Sequence, residues 1–324
     1  MNNDAFLSVK DLTVTYSSDG SVVHAVNDVS FYLEKGKTLG LVGETGAGKT
    51  TIAKTILRIL PEYQAEVKGG EIFLEGKDLL QLSEKEMLNI RGSHIAMVFQ
   101  DPMTALNPVM TIGKQIEEAI MLHERTQKKQ AEEKAEVMLE MVGISKERFH
   151  EYPHQFSGGM KQRVVIAMAL ACNPVLLLAD EPTTALDVTI QAQVLEMIGR
   201  LQKEHGTSMI LITHDLGVVA ETCDTIAIIY AGEVVELGTK EDIFDHHVHP
   251  YTNGLFGAIP DINEKQDRLK PVPGLPPDPS QLPSGCHFHP RCAFATEACS
   301  QEPIGMQSLS ETHFCRCRMA QRGA

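Results

Sequence analysis

Positive charge is in short supply in this chain. Lysine and arginine number 29 against 43 aspartates and glutamates, a formal net charge of −14. That balance argues against a nucleic-acid partner held mainly by phosphate contacts and leaves only a local basic patch open. Long apolar runs are also missing. The longest extends from Val164 to Ala179, is interrupted by Cys172-Asn173-Pro174, and is too short to cross a bilayer. Met1 to Lys10 holds no basic start followed by an apolar core, so no signal peptide is expected. A soluble chain is expected, with any membrane role supplied through a membrane partner. No internal repeat is evident, and 324 residues allow one large or two modest domains.

What is present centres on Gly43-Glu44-Thr45-Gly46-Ala47-Gly48-Lys49-Thr50, which fits the phosphate-binding pattern G-x-x-x-x-G-K-[ST]. The context is the required one. Thr38 to Val42 reads as a short buried strand, and Lys49 to Leu60 carries Ile52, Ile56, Leu57 and Leu60 at helical spacing. Strand, glycine loop and helix in that order turn successive backbone N–H groups, and the positive end of the helix dipole, towards one point. Lys49 is expected to reach the β- and γ-phosphates, and the Thr50 hydroxyl to ligate Mg²⁺.

Upstream, Leu7, Val9, Leu12, Val14 and Tyr16 give a strand pattern, Asp19-Gly20 a turn, and Val22 to Phe31 a second strand. Tyr16 could stack on an adenine or be an ordinary strand-end aromatic; spacing alone does not choose. Glu71 to Leu74 and Ile95 to Phe99 read as strands, and Gln100-Asp101-Pro102 breaks the second. Residues 103 to 163 read as an inserted helical region, with Ile112 to Leu122 and Gln130 to Met141 amphipathic and Gly143 a helix stop.

Val175 to Ala179 is a continuous apolar run that ends in Asp180-Glu181, as expected of a central parallel strand buried on both faces. Ligands of open α/β sheets lie at the carboxyl ends of strands. One carboxylate there can hold Mg²⁺ through water, and the next can orient or deprotonate an attacking water. Val188 to Leu201 is expected as a helix and Ser208 to Thr213 as a strand, with His214-Asp215 at its end. Ile226 to Tyr230 and Glu233 to Glu236 form an expected hairpin around Ala231-Gly232. Strands and helices alternate as in an α/β core. From about Pro260 prolines mark an extended linker.

Seven cysteines are present. Cys172 and Cys223 fall in patterned segments and are expected to be buried. Cys286, Cys292, Cys299, Cys315 and Cys317 crowd the end of the chain, which in a cytosolic protein suggests metal more than disulfides.

The combination resembles the ATP-binding cassette family. The distinguishing stretch is Phe156-Ser157-Gly158-Gly159-Met160-Lys161-Gln162-Arg163, similar to that family's signature, with Met160 where glutamine is common. The resemblance covers roughly residues 6 to 250 and supplies the Gln100 loop, the Ala185-Leu186-Asp187 loop and the His214 switch in the family's order. It implies a P-loop NTPase (RecA-like) core with an antiparallel β subdomain and an inserted helical subdomain at about 101–163. The cassette would span 1–258, with a proline-rich linker and cysteine-rich extension at 259–324. It also assigns Tyr16 to adenine, and Gly43 to Thr51 to the phosphates.

Gln100-Asp101-Pro102-Met103-Thr104-Ala105-Leu106-Asn107-Pro108, Glu151 to Phe156 and the tail Gly285-Cys286-His287-Phe288-His289-Pro290-Arg291-Cys292 narrow the resemblance to ATPase subunits of oligopeptide and dipeptide importers. Two cassettes are implied to close head to tail on ATP. The Ser157 hydroxyl and the Gly158 and Gly159 N–H groups would meet the partner's γ-phosphate, and Asp187 would sit in the same composite site. Gln100 and Asp180 would help hold Mg²⁺, Glu181 polarise water and His214 hold the γ-phosphate. The implied partners are a second cassette, by the family pattern a paralogue, two permease subunits and a peptide-binding protein, at the cytoplasmic face of the membrane. A soluble cassette ATPase of other function, or import of nickel or another small solute, stays open. For the tail, the loose cysteine spacing leaves iron–sulfur, zinc or no metal open; the resemblance points to a [4Fe–4S] cluster on Cys286, Cys292, Cys299 and Cys315, with Cys317 as the competing fourth ligand.

Overall fold

Strand β1 (Leu7–Ser18) buries its apolar residues but slips in register between Val9 and Thr15. Leu7, Val9, Leu12 and Val14 are all fully buried, and the three-residue step from Val9 to Leu12 falls at a break in register with both neighbouring strands. Asp11 takes a left-handed φ of 49° there, its N–H held by Ser30 Oγ at 2.8 Å. The bulge returns the apolar residues to the same face. This computed structural model describes residues 5–18, 20–183, 188–258 and 272–322.

In chain order β1 is followed by β2 (Ser21–Leu33), β3 (Thr38–Val42), α1 (Lys49–Ile56), β4 (Ala65–Leu74) and β5 (Lys77–Asp78). Next come α2 (Glu84–Ile90), β6 (Ile95–Val98), α3 (Pro102–Ala105), α4 (Ile112–His123), α5 (Lys128–Met141), α6 (Gly158–Leu170), β7 (Leu176–Asp180), α7 (Val188–His205) and β8 (Ser208–Thr213). The chain ends with α8 (Leu216–Thr222), β9 (Thr225–Tyr230), β10 (Glu233–Thr239), α9 (Lys240–Asp245), α10 (Pro250–Phe256), α11 (Glu297–Gln301), β11 (Gln307–Ser308) and β12 (Phe314–Cys315). Two compact units result: Met1–Leu33 with Leu39–Leu80 and Thr213–Ala324, and Glu34–Thr38 with Gln81–Ile212.

The first unit holds an antiparallel sheet in the order β2-β1-β4-β5. It also holds β3 beside β9 in parallel, from Leu39↔Thr225 to Val42↔Ile228. β10 pairs antiparallel with β9, and Ala231 and Gly232, at φ 46° and 80°, make the expected turn between them. The tail then extends the edge: β12 pairs with β10 and β11 with β12. A buried network pins that edge. Glu236 is fully buried and accepts from His313 Nε2 (2.9 Å), Val248 N and His249 N. Burial works to raise the Glu236 carboxyl, but these hydrogen bonds together bring it below its ordinary range.

The second unit is built on three parallel strands. β6 pairs with β7 from Ile95↔Leu176 to Val98↔Ala179, and β7 with β8 from Leu176↔Ser208 to Asp180↔Ile212. All five residues of β7 are buried, as its unbroken apolar run requires. α4 and α5 match their sequence patterns. Gly143, at φ 74°, lies one residue past the cap of α5, where only a residue tolerant of positive φ ends a helix without strain.

Three expectations are corrected. α1 ends at Ile56 rather than Leu60, because Arg58 turns left-handed at φ 52°. α7 runs on to His205. α2 was not expected, although Ser83 and Glu86 form a capping box at its start. Among the described residues, no helix is long and apolar enough to cross a membrane.

Candidate functional site

In the first unit the glycine loop joins β3 to α1 as expected. Three of its glycines are obligatory for different reasons. A Cβ on Gly43 would stand 2.1 Å from Ile229 O, and one on Gly48 2.3 Å from Ala25 O. Gly48 and Gly46 also have φ of 101° and 82°. The β9–β10 turn buttresses the loop from below, with Gly232 N donating to Ala47 O at 3.1 Å. Lys49 is 6% exposed, and its Nζ donates to Gly43 O at 2.6 Å and Glu44 O at 2.9 Å, which holds the ammonium over the mouth of the loop. Thr50 and Thr51 open α1. Tyr16, on β1, brings its hydroxyl 3.4 Å from Thr51 Oγ1.

In the second unit the register of β6 on β7 carries Gln100 alongside Glu181, two residues beyond the Val98↔Ala179 pair. Gln100 Nε2 donates to Glu181 Oε2 at 2.8 Å. Asp180 ends β7 at 4% exposure, and Glu181 turns out of the strand at φ 46°, its N–H bonded to Ile212 O at 2.9 Å. Asp180 is thus enclosed and Glu181 more open. His214, which belongs to the first unit, follows β8 in the chain and is exposed; Asp215 caps α8 through Gly217 N and Val218 N.

The signature stretch is the N-terminus of α6. Ser157 is the cap residue, its Oγ accepting from Met160 N at 3.4 Å. Ser157 and Gly158 are exposed, and among the described residues a Cβ on Gly158 would meet nothing within 4 Å outside its own helix and chain neighbours. Orphan N–H groups and the dipole of a 13-residue helix thus open onto solvent, an anion site without a wall. Asp187 lies outside the described residues.

The tail cysteines surround a hollow of about 390 Å³ in the first unit, lined by Cys286, Cys292, Cys299 and Cys317 together with His249 and Phe288. Cys315, expected as the fourth ligand, is not among the lining residues. It is fully buried at the end of β12, and Cys317, two residues beyond it, lines the hollow. A thiol–thiol hydrogen bond and burial hold Cys315 protonated, while the same bond lowers Cys317 to about 7. Burial pushes Cys286 up to about 11 and holds His249 neutral, at about 4. Among the described residues, no three or more His, Cys, Asp or Glu side chains stand together as ligands for a metal ion. No four-thiolate set, with Cys315 or with Cys317, is therefore assembled as ligands; the thiols lining the hollow suit iron–sulfur in kind only.

Comparison with known proteins decides the family. A family described as ABC transporter matches residues 26–184, and one described as the oligopeptide/dipeptide transporter C-terminal region matches 235–299. The chain is 50% identical to the dipeptide transport ATP-binding protein DppD of Bacillus subtilis over 96% of its own length and 93% of that protein's. It is also 50% identical to the oligopeptide transport ATP-binding protein OppD of Haemophilus influenzae, covering 92% of each. This chain belongs to the ABC transporter family.

The fold agrees with that membership. A dimeric ATP-binding cassette, MJ0796, in a post-hydrolysis state with ADP and Pi superposes with a TM-score of 0.65 at 28% identity, over 72% of this chain and 98% of that one. Three supports of the glycine loop escaped the sequence reading: Gly232 beneath it, Tyr251 on α10, whose hydroxyl accepts from Glu44 N, and Arg291, which pairs with the Glu44 carboxylate. Tyr251 carries no motif, and the hairpin and tail motifs that hold Gly232 and Arg291 gave neither a link to the loop. The one signal for Arg291 is the Glu44 carboxylate inside the loop.

Proposed function

We propose that this chain is the ATP-hydrolysing subunit of a membrane importer of dipeptides or oligopeptides. What carries the substrate class is the likeness to peptide-transport ATP-binding proteins along nearly the whole chain, tail included. The subunit acts at the cytoplasmic face of the membrane, paired with a second cassette that is a paralogue, on two permease subunits served by a peptide-binding protein.

The loop N–H groups and Lys49 bind the phosphates, and Tyr16 stacks on the adenine. Thr50, Gln100 and Asp180 supply hydroxyl, amide and carboxylate oxygens, the hard donor set that Mg²⁺ takes; the ion would neutralise charge on the transferred phosphoryl group. Glu181 orients and deprotonates the attacking water, with Gln100 fixing its carboxylate, and His214 holds the γ-phosphate. Ser157, Gly158 and Gly159 add their donors only when a second cassette closes, so hydrolysis is coupled to assembly. Asp187 contributes to that same closed pair.

The cytosolic tail carries an iron–sulfur cluster, with Cys317 rather than Cys315 as fourth ligand, serving structure or regulation rather than hydrolysis. Protein purified anaerobically from iron-replete cells should be brown, and Cys317→Ser should bleach it while Cys315→Ser does not. Stoichiometric zinc without iron would sink this assignment. For transport, the chain reconstituted with its permeases in liposomes should show ATPase activity stimulated by peptide-loaded binding protein. Stimulation by nickel-loaded binding protein alone would overturn the peptide reading.

A further inference from the structure

All three polar groups of Glu44, the second residue of the nucleotide loop, are engaged within the first unit. Its N–H donates to Tyr251 Oη at 3.0 Å, and its carbonyl accepts from Lys49 Nζ at 2.9 Å. Its carboxylate receives both ends of the Arg291 fork, Nη1 to Oε2 at 2.7 Å and Nη2 to Oε1 at 3.0 Å. Arg291 comes from the tail and is itself fully used. Nε donates to Pro273 O at 2.7 Å, Nη1 also to Tyr230 Oη at 3.3 Å, and Nη2 also to Val272 O at 3.4 Å. Five N–H donors thus meet five acceptors, with the arginine side chain 5% exposed and that of Glu44 28%.

The tail reaches the loop a second time. A cavity of about 220 Å³ is walled by Glu44 to Ala47 on one side and by Pro276, Pro277 and Pro279 on the other. Pro279 O accepts from His24 N at 2.8 Å, which ties this segment to β2.

We propose that Arg291 is a positioning residue of the nucleotide site. By holding the Glu44 carboxylate, it fixes the loop whose N–H groups receive the phosphates, so ATP affinity depends on the C-terminal tail. This rests on the ATP-binding reading above. A planar bidentate fork fixes direction as well as distance, which a lysine's point charge does not. Without it the loop must be ordered by the nucleotide itself, and affinity falls by the fraction of time the loop is competent. By linkage, bound ATP must in turn tighten the tail.

The test is equilibrium binding of ATP to the full chain, with wild type, Arg291→Met, Arg291→Lys, Glu44→Gln and the Arg291→Met/Glu44→Gln pair. Arg291→Met and Glu44→Gln are each expected to weaken binding about tenfold, the double variant no more than either, and Arg291→Lys to recover only part. In the assembled transporter the loss should fall on KM for ATP more than on kcat. ATP should slow proteolysis of the tail in wild type and not in Arg291→Met. If Arg291→Met misfolds, Glu44→Gln with the tail intact still decides. Kd values for both single variants within twofold of wild type would overturn the proposal. A wild-type chain that binds no ATP would overturn the functional reading instead.

Discussion

The molecule presents two helix N-termini built to meet phosphate, and they are finished to different degrees. At α1 the glycines are walled in: a Cβ at Gly43 or Gly48 would collide with backbone carbonyls of β9 and β2. Lys49 is buried, and Glu44 is held at amide, carbonyl and carboxylate. At α6 the cap is satisfied by Ser157, but among the described residues nothing beyond its own helix and chain neighbours stands within 4 Å of a Cβ on Gly158. On the function proposed above, the same backbone physics yields a site complete within one chain at α1 and half a site at α6: the first would bind nucleotide, and the second would recognise nucleotide held by another cassette.

Breaking the comparison at the chemical step should give the largest effect. Glu181→Gln keeps shape and both phosphate surfaces but removes charge and basicity. Turnover in the complete transporter should fall ~10²–10⁴-fold while ATP binding stays. Because closure is then not followed by hydrolysis, size-exclusion chromatography of the variant with ATP and the second cassette should show the two as a pair. Near wild-type phosphate release would remove Glu181 from the role of base.

The next largest effect separates the two N-termini. Gly158→Asp places a carboxylate where the partner's γ-phosphate is to lie, and the surroundings within the chain leave room for it. Its melting temperature and ATP affinity alone should match wild type. Turnover with the permeases and second cassette should drop ~10²–10³-fold, the scale of losing a preorganised donor at a charged centre. Full turnover in that variant would count against the composite site. Gly48→Ala reverses the pattern. Left-handed strain together with the Ala25 O overlap should remove about 2–3 kcal/mol of stability from the isolated chain and lower ATP affinity, read by thermal melts and titration.

Much of α1's half of this contrast was legible in the sequence, because G-x-x-x-x-G-K-[ST] between strand and helix periodicities encodes its own geometry. The apolar runs of β6 and β7 were legible as strands, but unbroken apolar runs carry no register, so the Gln100–Glu181 hydrogen bond was not. The misses have physical causes. Arg58 ends α1 through a backbone torsion that its side chain does not announce. The tail read as an appendage because composition changes near Pro260. Yet β12 joins β10, His313 meets Glu236, and Arg291 reaches Glu44 across 247 positions. Long-range pairs of this kind leave no local period. Cys315 closes β12 and is buried, while Cys317 lies past the strand end, where alternation no longer applies, and lines the hollow; spacing could not choose between them.

The smallest expected effect sharpens the α1 side further. Tyr16 sits on β1 in the same unit as the loop, so a change there should alter binding and leave closure alone. Its hydroxyl touches Thr51 Oγ1 only at 3.4 Å, a long contact between two partly buried groups that contributes little. The ring face is the larger part, since an aromatic pair adds about 0.5–1.5 kcal/mol beyond the area it buries. Tyr16→Ala should weaken ATP about fivefold, whereas Tyr16→Phe should stay within about twofold, both read by titration of the isolated chain. Neither should change turnover at saturating ATP in the full assembly, because stacking acts equally before and during the reaction. Equal losses in the two variants would move the role of Tyr16 from its ring to its hydroxyl, and with it from the adenine to the first turn of α1.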